Sequence, residues 1–292
     1  MSFPPGKGKA AEGPGEAGAA DSAGPRGSSA LLRLERCTIR FGGLTAVSEL
    51  DLEIGQNELV GLIGPNGAGK TTAFNLITGV YPPTEGRIFF QEHSLQAKRP
   101  HQITACGIAR TFQNIRLFAS LSVFDNVRVA FQLRQRSGFL AALLRGPGFH
   151  RQEREIEAEV MEVLDIFRLS RFRHSLARNL PYGDQRRLEI VRALATQPRL
   201  LLLDEPAAGM NPSEKLDLMR LIQFIKEKFK ISVLLVEHDM QVVMGICQRI
   251  AVLDHGIRIA QGTPEEVRRD PKVIEAYLGD KHLRKQEGQR GG

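Results

Sequence analysis

The chain has 292 residues, of which 42% are hydrophobic and 25% charged, and it carries a formal net charge of +7. This composition is typical of a globular protein with enough residues for a large hydrophobic core. No apolar run approaches the roughly 18 residues of a membrane-spanning helix, and the first residues lack the apolar stretch of a signal peptide. We therefore expect a protein that is not secreted and does not cross a membrane by itself.

The three cysteines, Cys37, Cys106 and Cys247, are scattered along the chain without the paired spacing of a zinc site. They indicate neither a metal site nor a disulfide framework, and they fit a reducing cytosol.

The positive charge is concentrated at residues 134–154 and in the tail, residues 281–292. Neither stretch contains the interleaved aromatic residues that stack on bases, so we expect no nucleic-acid partner. A solvated surface is the simpler explanation of this charge, and attraction to an anionic membrane surface is the alternative.

The first 30 residues are dominated by Gly, Ala, Pro and Ser, and they predict a disordered extension, residues 1–30. One domain follows, which we expect to cover residues 31–280, ahead of a basic flexible tail, residues 281–292. Its first part contains an alternating strand, LLRLERCTIRF, and a short buried strand, NELVGLIG. After a glycine-rich turn, TTAFNLITGV predicts a helix.

The second part of the domain predicts a helical insertion between about residues 100 and 180. One helix face in it consists of Ile156, Val160, Val163 and Phe167. RLLLLDEP and ISVLLVEHD are apolar runs that end in acidic residues, as is typical of parallel strands covered on both faces. RIAVLDHGIRIAQG predicts a hairpin that turns at His255 and Gly256, and two short helices follow. The pattern as a whole predicts an α/β fold.

The segment GPNGAGKTT follows a predicted strand and precedes a predicted helix, the context that a phosphate-binding P-loop requires. It consists of Gly64, Pro65, Asn66, Gly67, Ala68, Gly69, Lys70, Thr71 and Thr72. Its glycines let the backbone fold tightly, so that amide N–H groups at the helix N-terminus face phosphate oxygens. Lys70 supplies charge for the β- and γ-phosphates, and the Thr71 hydroxyl is the expected Mg²⁺ ligand. The segment predicts that the chain binds a nucleoside triphosphate.

Acidic and basic side chains end the two later apolar runs. Asp204 ends RLLLLD, and Glu205 follows it directly. Because neighbouring residues of a strand point to opposite sides, we expect Asp204 to hold the metal and Glu205 to orient and deprotonate the attacking water. His238 follows ISVLLVE, and from its spacing alone a structural role and a contact to the γ-phosphate are equally supported.

The motifs GPNGAGKTT, RTFQN, LPYGDQRR, LLLLDEP and VEHD stand in this order along residues 31–280. In order and spacing they resemble the nucleotide-binding subunit of ATP-binding-cassette transporters. The resemblance implies a P-loop NTPase cassette with a parallel core sheet, an antiparallel β subdomain and an inserted α-helical subdomain that carries LPYGDQ. It also implies ATP and Mg²⁺ as ligands.

The resemblance also implies roles for individual residues. Phe41 matches the aromatic residue that stacks on adenine, and Gln113 matches the glutamine that contacts Mg²⁺ and the lytic water. Asp204 matches the metal-binding carboxylate, Glu205 the catalytic base and His238 the histidine that senses the γ-phosphate. Ala207–Asn211 matches the loop that crosses a dimer interface, although Asn211 stands where an aspartate is common.

In the family, each nucleotide lies between the P-loop of one subunit and the signature segment of its partner. That segment commonly reads Leu-Ser-Gly-Gly-Gln, so Pro181, Tyr182 and Asp184 are departures and Gly183 is retained. The resemblance implies that the start of this helix, at Tyr182, Gly183 and Asp184, binds the nucleotide of the partner. We expect Pro181 to start the helix and the Asp184 carboxylate to point away from phosphate.

A finer resemblance concerns the transported substrate. FGGLTAV, RTFQNIRLF, YGDQRRLEI, DEPAAGMNP and YLGD are similar to segments of the high-affinity branched-chain amino-acid importers. This similarity implies integral membrane permease subunits, a second ATPase subunit in a homo- or heterodimer and, indirectly, an extracytoplasmic substrate-binding protein. It also implies a peripheral location on the cytoplasmic face of the inner membrane.

Other functions share parts of this pattern. Urea and amide importers and the lipopolysaccharide-export ATPase carry some of the same segments, so these cargoes remain alternatives. A soluble cassette ATPase in translation usually has two cassettes in one chain. One in chromosome maintenance needs a long coiled coil between Gln113 and Gly183, which are only 70 positions apart. A kinase or GTPase is disfavoured by LPYGDQRR and His238.

Overall fold

The computed structural model describes residues 30–132 and 147–278, whose strands form one antiparallel and one mainly parallel sheet. The antiparallel sheet has the order β2-β1-β4-β5 and consists of β1 (Leu32–Phe41), β2 (Leu44–Ile54), β4 (Glu85–Phe90) and β5 (His93–Ser94). The other sheet has the order β10-β9-β3-β8-β7-β6 and consists of β3 (Leu59–Ile63), β6 (Ile108–Arg110), β7 (Leu200–Asp204), β8 (Ser232–Val236), β9 (Arg249–Asp254) and β10 (Ile257–Gly262). The predicted α/β fold with a parallel core sheet and an antiparallel sheet is confirmed.

The central strands β3, β7 and β8 are buried along their whole length. Their side chains alternate between two hydrophobic clusters, with Leu201 and Leu203 in one and Leu200 and Leu202 in the other. Both faces of the sheet are therefore covered, and this is why these strands have unbroken apolar sequences. Because the three strands are parallel, their carboxyl ends lie at one edge, where the P-loop, the acidic pair and VEHD follow.

The helices are α1 (Lys70–Ile77), α2 (Pro100–Cys106), α3 (Val123–Gln132), α4 (Pro147–Ile166), α5 (Tyr182–Leu194), α6 (Pro212–Phe229), α7 (Met240–Ile246), α8 (Pro264–Arg269) and α9 (residues 271–278). Helices α6 and α8 begin with a capping box that satisfies N-terminal backbone N–H groups. Asn211 and Glu214 form the one at α6, and Thr263 and Glu266 form the one at α8. The helix predicted after the P-loop and the two short helices at the end of the domain are confirmed.

The predicted hairpin is also confirmed, since β9 and β10 pair in an antiparallel register. His255 and Gly256 form its turn with φ values of 44° and 80°. Two successive positive φ angles are typical of a tight hairpin turn whose twist matches that of the strands.

The helical insertion expected between about residues 100 and 180 contains a strand that the sequence did not predict. Strand β6 lies within the expected span, and it pairs in parallel with β7 at the edge of the larger sheet. A strand of three residues is too short to produce a periodic pattern, so the sequence did not reveal it. Helix α2 begins at Pro100 and precedes this strand, and α3 follows it, so the bounds of the insertion stay a prediction.

Helix α4 covers Pro147–Ile166, close to the range over which its amphipathic pattern was recognised. Of the expected face, Ile156 and Val160 are buried and Val163 is half-buried. Phe167 is buried as well, but it lies one residue beyond the helix. These side chains pack with those of α3 and α5 in one hydrophobic cluster.

Among the described residues, no helix combines the length and the apolar character that a membrane span requires. The extension expected over residues 1–30, save its last residue, and the tail, residues 281–292, lie outside the described residues. The same holds for most of the basic stretch 134–154.

Candidate active site

A cleft of about 620 Å³ opens at the carboxyl edge of the larger sheet, between the P-loop and the end of β1. The residues predicted from the sequence that line it are Phe41, Asn66, Gly67, Ala68, Gly69, Lys70, Thr71, Thr72 and Glu205. His255, at the hairpin turn, lines it as well and had not been predicted.

The P-loop wraps around the amino group of Lys70. This group donates hydrogen bonds to the carbonyl oxygens of Gly64 and Pro65 at 2.7 and 2.8 Å, so the lysine side chain folds back onto the start of the loop. Gly64 has a φ of 152°, and a Cβ there would come within 2.1 Å of the Leu253 carbonyl oxygen. Gly69 has a φ of 98°, and a Cβ there would lie 2.7 Å from the Ala46 carbonyl oxygen. The path of the loop therefore requires glycine at both positions.

The N-terminus of α1 fits a phosphate group. Gly69 caps this helix without a side-chain hydrogen bond, and the first turn contains no acidic residue. Neither a cap side chain nor a carboxylate therefore competes for this end of the helix, where the helix dipole and the backbone N–H groups favour an anion. Lys70 adds a positive charge to the same turn.

An aromatic pair borders the other end of the cleft. Phe41 ends β1, and 43% of its surface is exposed. Its ring meets that of Tyr81 edge to face, with the centroids 5.1 Å apart. Tyr81 thus packs against Phe41, and the exposed part of the Phe41 ring is available to a flat, uncharged group such as a nucleobase.

The three predicted catalytic residues meet at one carboxylate oxygen. Gln113 Nε2 donates to Glu205 Oε2 at 3.0 Å, and His238 Nδ1 lies 3.6 Å from the same oxygen. The alternation argument for Glu205 was wrong, because β7 ends at Asp204 and Glu205 has a φ of 45°. The backbone turns at Glu205, anchored by the bond from Glu205 N to Val236 O at 2.9 Å, so the alternation of a strand does not set the direction of this side chain.

Asp204 is paired with a residue that sequence reasoning missed. Its Oδ2 accepts a hydrogen bond from Arg110 Nη2 at 2.7 Å, and the two side chains are only 4% and 8% exposed. Arg110 Nη1 also donates to Asn75 Oδ1 at 2.7 Å, so the arginine links Asp204 to α1. Arg110 is the first residue of RTFQN, but no local pattern in the sequence indicates its partner.

Three side chains of the site carry oxygen atoms that suit Mg²⁺. This ion binds oxygen ligands and usually needs only a few from the protein when phosphates supply the remaining ligands. Thr71 contributes a hydroxyl on the exposed side of α1, and Asp204 contributes a carboxylate. Gln113 adds an amide oxygen next to Glu205.

Glu237 is a second residue that the sequence reasoning missed, although it belongs to the VEHD motif. It is fully buried, and burial raises the pKa of its carboxyl group. Its Oε1 accepts a hydrogen bond from Ala207 N at 2.7 Å and its Oε2 one from His238 N at 3.2 Å. It therefore ties the loop after Glu205 to the backbone of His238.

The signature residues Tyr182, Gly183 and Asp184 lie outside this cleft, at the start of α5. Pro181 has a φ of −54° and a ψ of 150°, so it is the N-cap, and the helix begins at Tyr182. Our expectation that Pro181 starts the helix was wrong by one residue, because its extended ψ is not helical. Asp184 Oδ1 lies 3.4 Å from Arg187 Nη1, so its carboxylate is directed along its own helix.

Asn211 differs from the aspartate common in the family, and the structure gives it a local function. Its side chain accepts a hydrogen bond from Glu214 N at 3.0 Å and thereby caps α6. Asparagine and aspartate serve about equally well at an N-cap, so this substitution keeps the helix start intact.

Comparisons with known proteins agree with this geometry. The family model of ABC transporters matches residues 47–208, and that of the branched-chain amino acid ATP-binding cassette transporter matches residues 258–282. The high-affinity branched-chain amino acid transport ATP-binding protein LivG of Salmonella typhimurium is 46% identical over 253 residues, which cover 87% of this chain and 99% of LivG. The lipopolysaccharide export system ATP-binding protein LptB of Escherichia coli is 33% identical over 86% of this chain and 98% of LptB.

Among solved structures, the ADP conformation of an ATP-binding cassette of an ABC transporter matches with a TM-score of 0.75 and 30% identity. The match covers 86% of this chain and all of that one. The motifs, the cleft and these similarities lead to one conclusion. The chain belongs to the ABC transporter family, and it is an ATP-hydrolysing cassette of that family.

Proposed function

We propose that this chain is the ATPase subunit that energises the uptake of branched-chain amino acids through separate membrane subunits. The observation that carries the proposal is the 46% identity to LivG over nearly its whole length, against 33% to LptB. The match of residues 258–282 to the branched-chain amino acid family model points the same way. Lipopolysaccharide, urea and amides are therefore the less supported cargoes.

ATP occupies the cleft between the aromatic pair and the P-loop. The exposed face of Phe41 stacks on adenine, and the backbone N–H groups at the start of α1 bind the phosphates. Lys70 reaches the β- and γ-phosphates when its amino group exchanges the carbonyl oxygens of Gly64 and Pro65 for phosphate oxygens. Thr71, Asp204 and Gln113 provide the oxygen ligands for Mg²⁺. When bound, Mg²⁺ neutralises charge on the phosphate oxygens during hydrolysis.

Glu205 is the general base that takes a proton from the attacking water. Its contact with Gln113, at 3.0 Å, holds one carboxylate oxygen and leaves the group with a defined orientation. A base positioned in this way typically accelerates a reaction by about 10²–10⁴-fold. His238, beside the same oxygen, stabilises the charge that develops on the γ-phosphate.

Hydrolysis requires a second ATPase subunit, either another copy of this chain or a similar one. The start of α5, with Tyr182, Gly183 and Asp184, completes the site of that partner. Its position outside the cleft of its own subunit supports this arrangement. ATP-driven pairing and its release after hydrolysis then move the permease subunits between two states, with the chain on the cytoplasmic face of the inner membrane. An extracytoplasmic binding protein delivers the amino acid.

The proposal is tested by uptake of labelled leucine in cells that lack this chain, complemented with wild type or Glu205→Gln. Only wild type should restore uptake. A matched control is Arg220→Gln, which changes an exposed residue of α6 and should restore uptake fully. Normal leucine uptake without the chain, together with a loss of urea or amide uptake or of lipopolysaccharide export, would contradict the branched-chain cargo.

A further inference from the structure

A buried ion pair lies on α5, the helix that begins with the signature segment. Arg186 and Glu189 are one turn apart on this helix, with Nη1 and Oε2 separated by 3.1 Å, and each residue is 3% exposed. A buried pair loses the hydration of both charges, so it persists only where nearly all of its donors and acceptors are used.

Four further hydrogen bonds of the pair join it to the backbone of the loop that carries Gln113. Arg186 donates through Nη1 to the Phe112 carbonyl oxygen at 2.7 Å and through Nη2 to the Gln113 carbonyl oxygen. Glu189 Oε1 accepts from Phe112 N at 3.3 Å and from Arg116 N at 3.2 Å. One helix thus holds this loop through both charged side chains.

The same arginine contacts Tyr182, one of the three residues in which the signature segment departs from its common pattern. Tyr182 Oη accepts hydrogen bonds from Arg186 Nε at 3.3 Å and Nη2 at 3.1 Å. It donates in turn to the carbonyl oxygen of Ala208, at 3.2 Å, in the loop after Glu205. All five N–H groups of the Arg186 guanidinium therefore have a hydrogen-bond acceptor. A glycine at position 182 would remove this connection.

We propose that Arg186 and Glu189 are positioning residues for hydrolysis, which hold Gln113 against Glu205 and tie that contact to the signature helix. The proposal rests on the proposed roles of Gln113 and Glu205. When a partner nucleotide binds at the start of α5, the helix carries the Gln113 loop with it through Arg186 and Glu189. It carries the loop after Glu205 with it through Tyr182. Each site thereby senses occupation of the other by a direct chain of hydrogen bonds.

The test uses Glu189→Gln, which keeps the shape of the side chain and removes its charge. We expect kcat to fall at least about tenfold, while the dissociation constant for ATP stays within about twofold, because the variant misplaces Gln113 without changing the P-loop. Asp217→Asn is the matched control. It makes the same change in an Arg–carboxylate pair of the same spacing on α6, where the side chains are 77% and 54% exposed, and it should leave kcat unchanged.

A double-mutant comparison separates positioning from a loss of folding. In a Gln113→Ala background, Glu189→Gln should lower kcat by less than about twofold, because its effect passes through the missing side chain. If the double variant loses kcat by the product of the two single losses, or if Glu189→Gln alone leaves kcat unchanged, the positioning role of Arg186 and Glu189 is overturned. The role of Gln113 in hydrolysis would then still stand. An unchanged kcat in Gln113→Ala alone would overturn both.

Tyr182→Phe provides a second variant in which folding is not at risk, since the ring stays and only the hydroxyl is removed. We expect a fall in kcat of about two- to fivefold with an unchanged unfolding midpoint, because Arg186 loses one partner out of several. A lowered unfolding midpoint with unchanged kcat would assign the hydroxyl to stability and overturn its part in the proposal.

Discussion

The ion pair between Arg110 and Asp204 offers a direct test of whether Mg²⁺ reaches Asp204. Replacing Arg110 with methionine keeps an apolar chain between the rings of Phe74 and Phe112, which lie 5.4 and 5.2 Å from the guanidinium carbon. It leaves the Asp204 carboxylate, 4% exposed, without its partner. Removing one member of a buried pair costs about 3–5 kcal/mol. For a domain of this size, that corresponds to a fall in Tm of roughly 6–20 °C.

The free energy of unfolding should be measured by urea denaturation of Arg110→Met in a Glu205→Gln background, where ATP is not hydrolysed. Three conditions are needed: no nucleotide, ATP with EDTA, and ATP with Mg²⁺. A cation bound by Asp204 would compensate the unpaired charge. Mg²⁺ with ATP should therefore stabilise Arg110→Met more than it stabilises the parent, whereas ATP with EDTA should stabilise both equally.

Arg220→Met serves as the control, because Arg220 is exposed and its pairing on a surface contributes little. It should change the free energy of unfolding by less than about 0.5 kcal/mol in all three conditions. A loss below about 1 kcal/mol for Arg110→Met would show that the pair is not desolvated as described. Equal stabilisation of the parent and Arg110→Met by Mg²⁺ with ATP would remove Asp204 from the metal site.

Three further variants test other parts of the site and fold. Phe41→Ala should weaken ATP binding by about 1–3 kcal/mol in a calorimetric titration, which is the range for stacking on a base. Tripolyphosphate has no base, so its binding should not change, and equal losses of affinity for both ligands would exclude stacking. Pro181→Ser should raise the ATPase rate by at most about 10- to 150-fold, the equivalent of the roughly 1.5–3 kcal/mol of one hydrogen bond to a charged group, and the native rate should already lie well above background because the backbone N–H groups remain. A native rate at background that the variant raises to full activity would show instead that the native segment is inactive. Arg249→Gln removes a bidentate partner of Glu58. Burial is the largest single effect on the pKa of Glu58 and raises it, but the hydrogen bonds from Arg249 and from Gly55 N, together with the charge of Arg249, lower this pKa below its ordinary value. The stability from this pair is present above the ordinary pKa of 4.5 and is lost as pH falls through the lowered value, so the Tm difference from wild type should be largest at neutral pH and vanish in acid.

Much of the nucleotide cleft could be predicted because its determinants are local. The P-loop needs glycine where φ is positive, and its strand and helix are its immediate neighbours in sequence, so GPNGAGKTT alone predicts strand, loop and helix. The hairpin at His255 and Gly256 is local in the same sense. The buried strands were recognised because both of their faces are covered, which leaves an unbroken apolar run.

The contacts that were missed join residues far apart in the chain. Arg110 and Asp204 are separated by 94 positions, and Arg186 and Phe112 by 74. A single sequence has no periodic or compositional signal for such pairs. The orientation of Glu205 was wrongly derived from strand alternation for a related reason, because the turn that sets it depends on a hydrogen bond to Val236, on a neighbouring strand.

The central claim is that hydrolysis at Glu205 drives branched-chain amino-acid uptake. It is tested most directly with complexes captured from native membranes through a tag on this chain and reconstituted into vesicles. Labelled leucine and the binding protein are supplied on one side, and ATP with Mg²⁺ on the side of the ATPase. We predict that leucine accumulates with the wild-type chain and not with Glu205→Gln. Hydrolysis of ATP without leucine accumulation, or capture of ribosomes or DNA in place of integral membrane proteins, would contradict the claim.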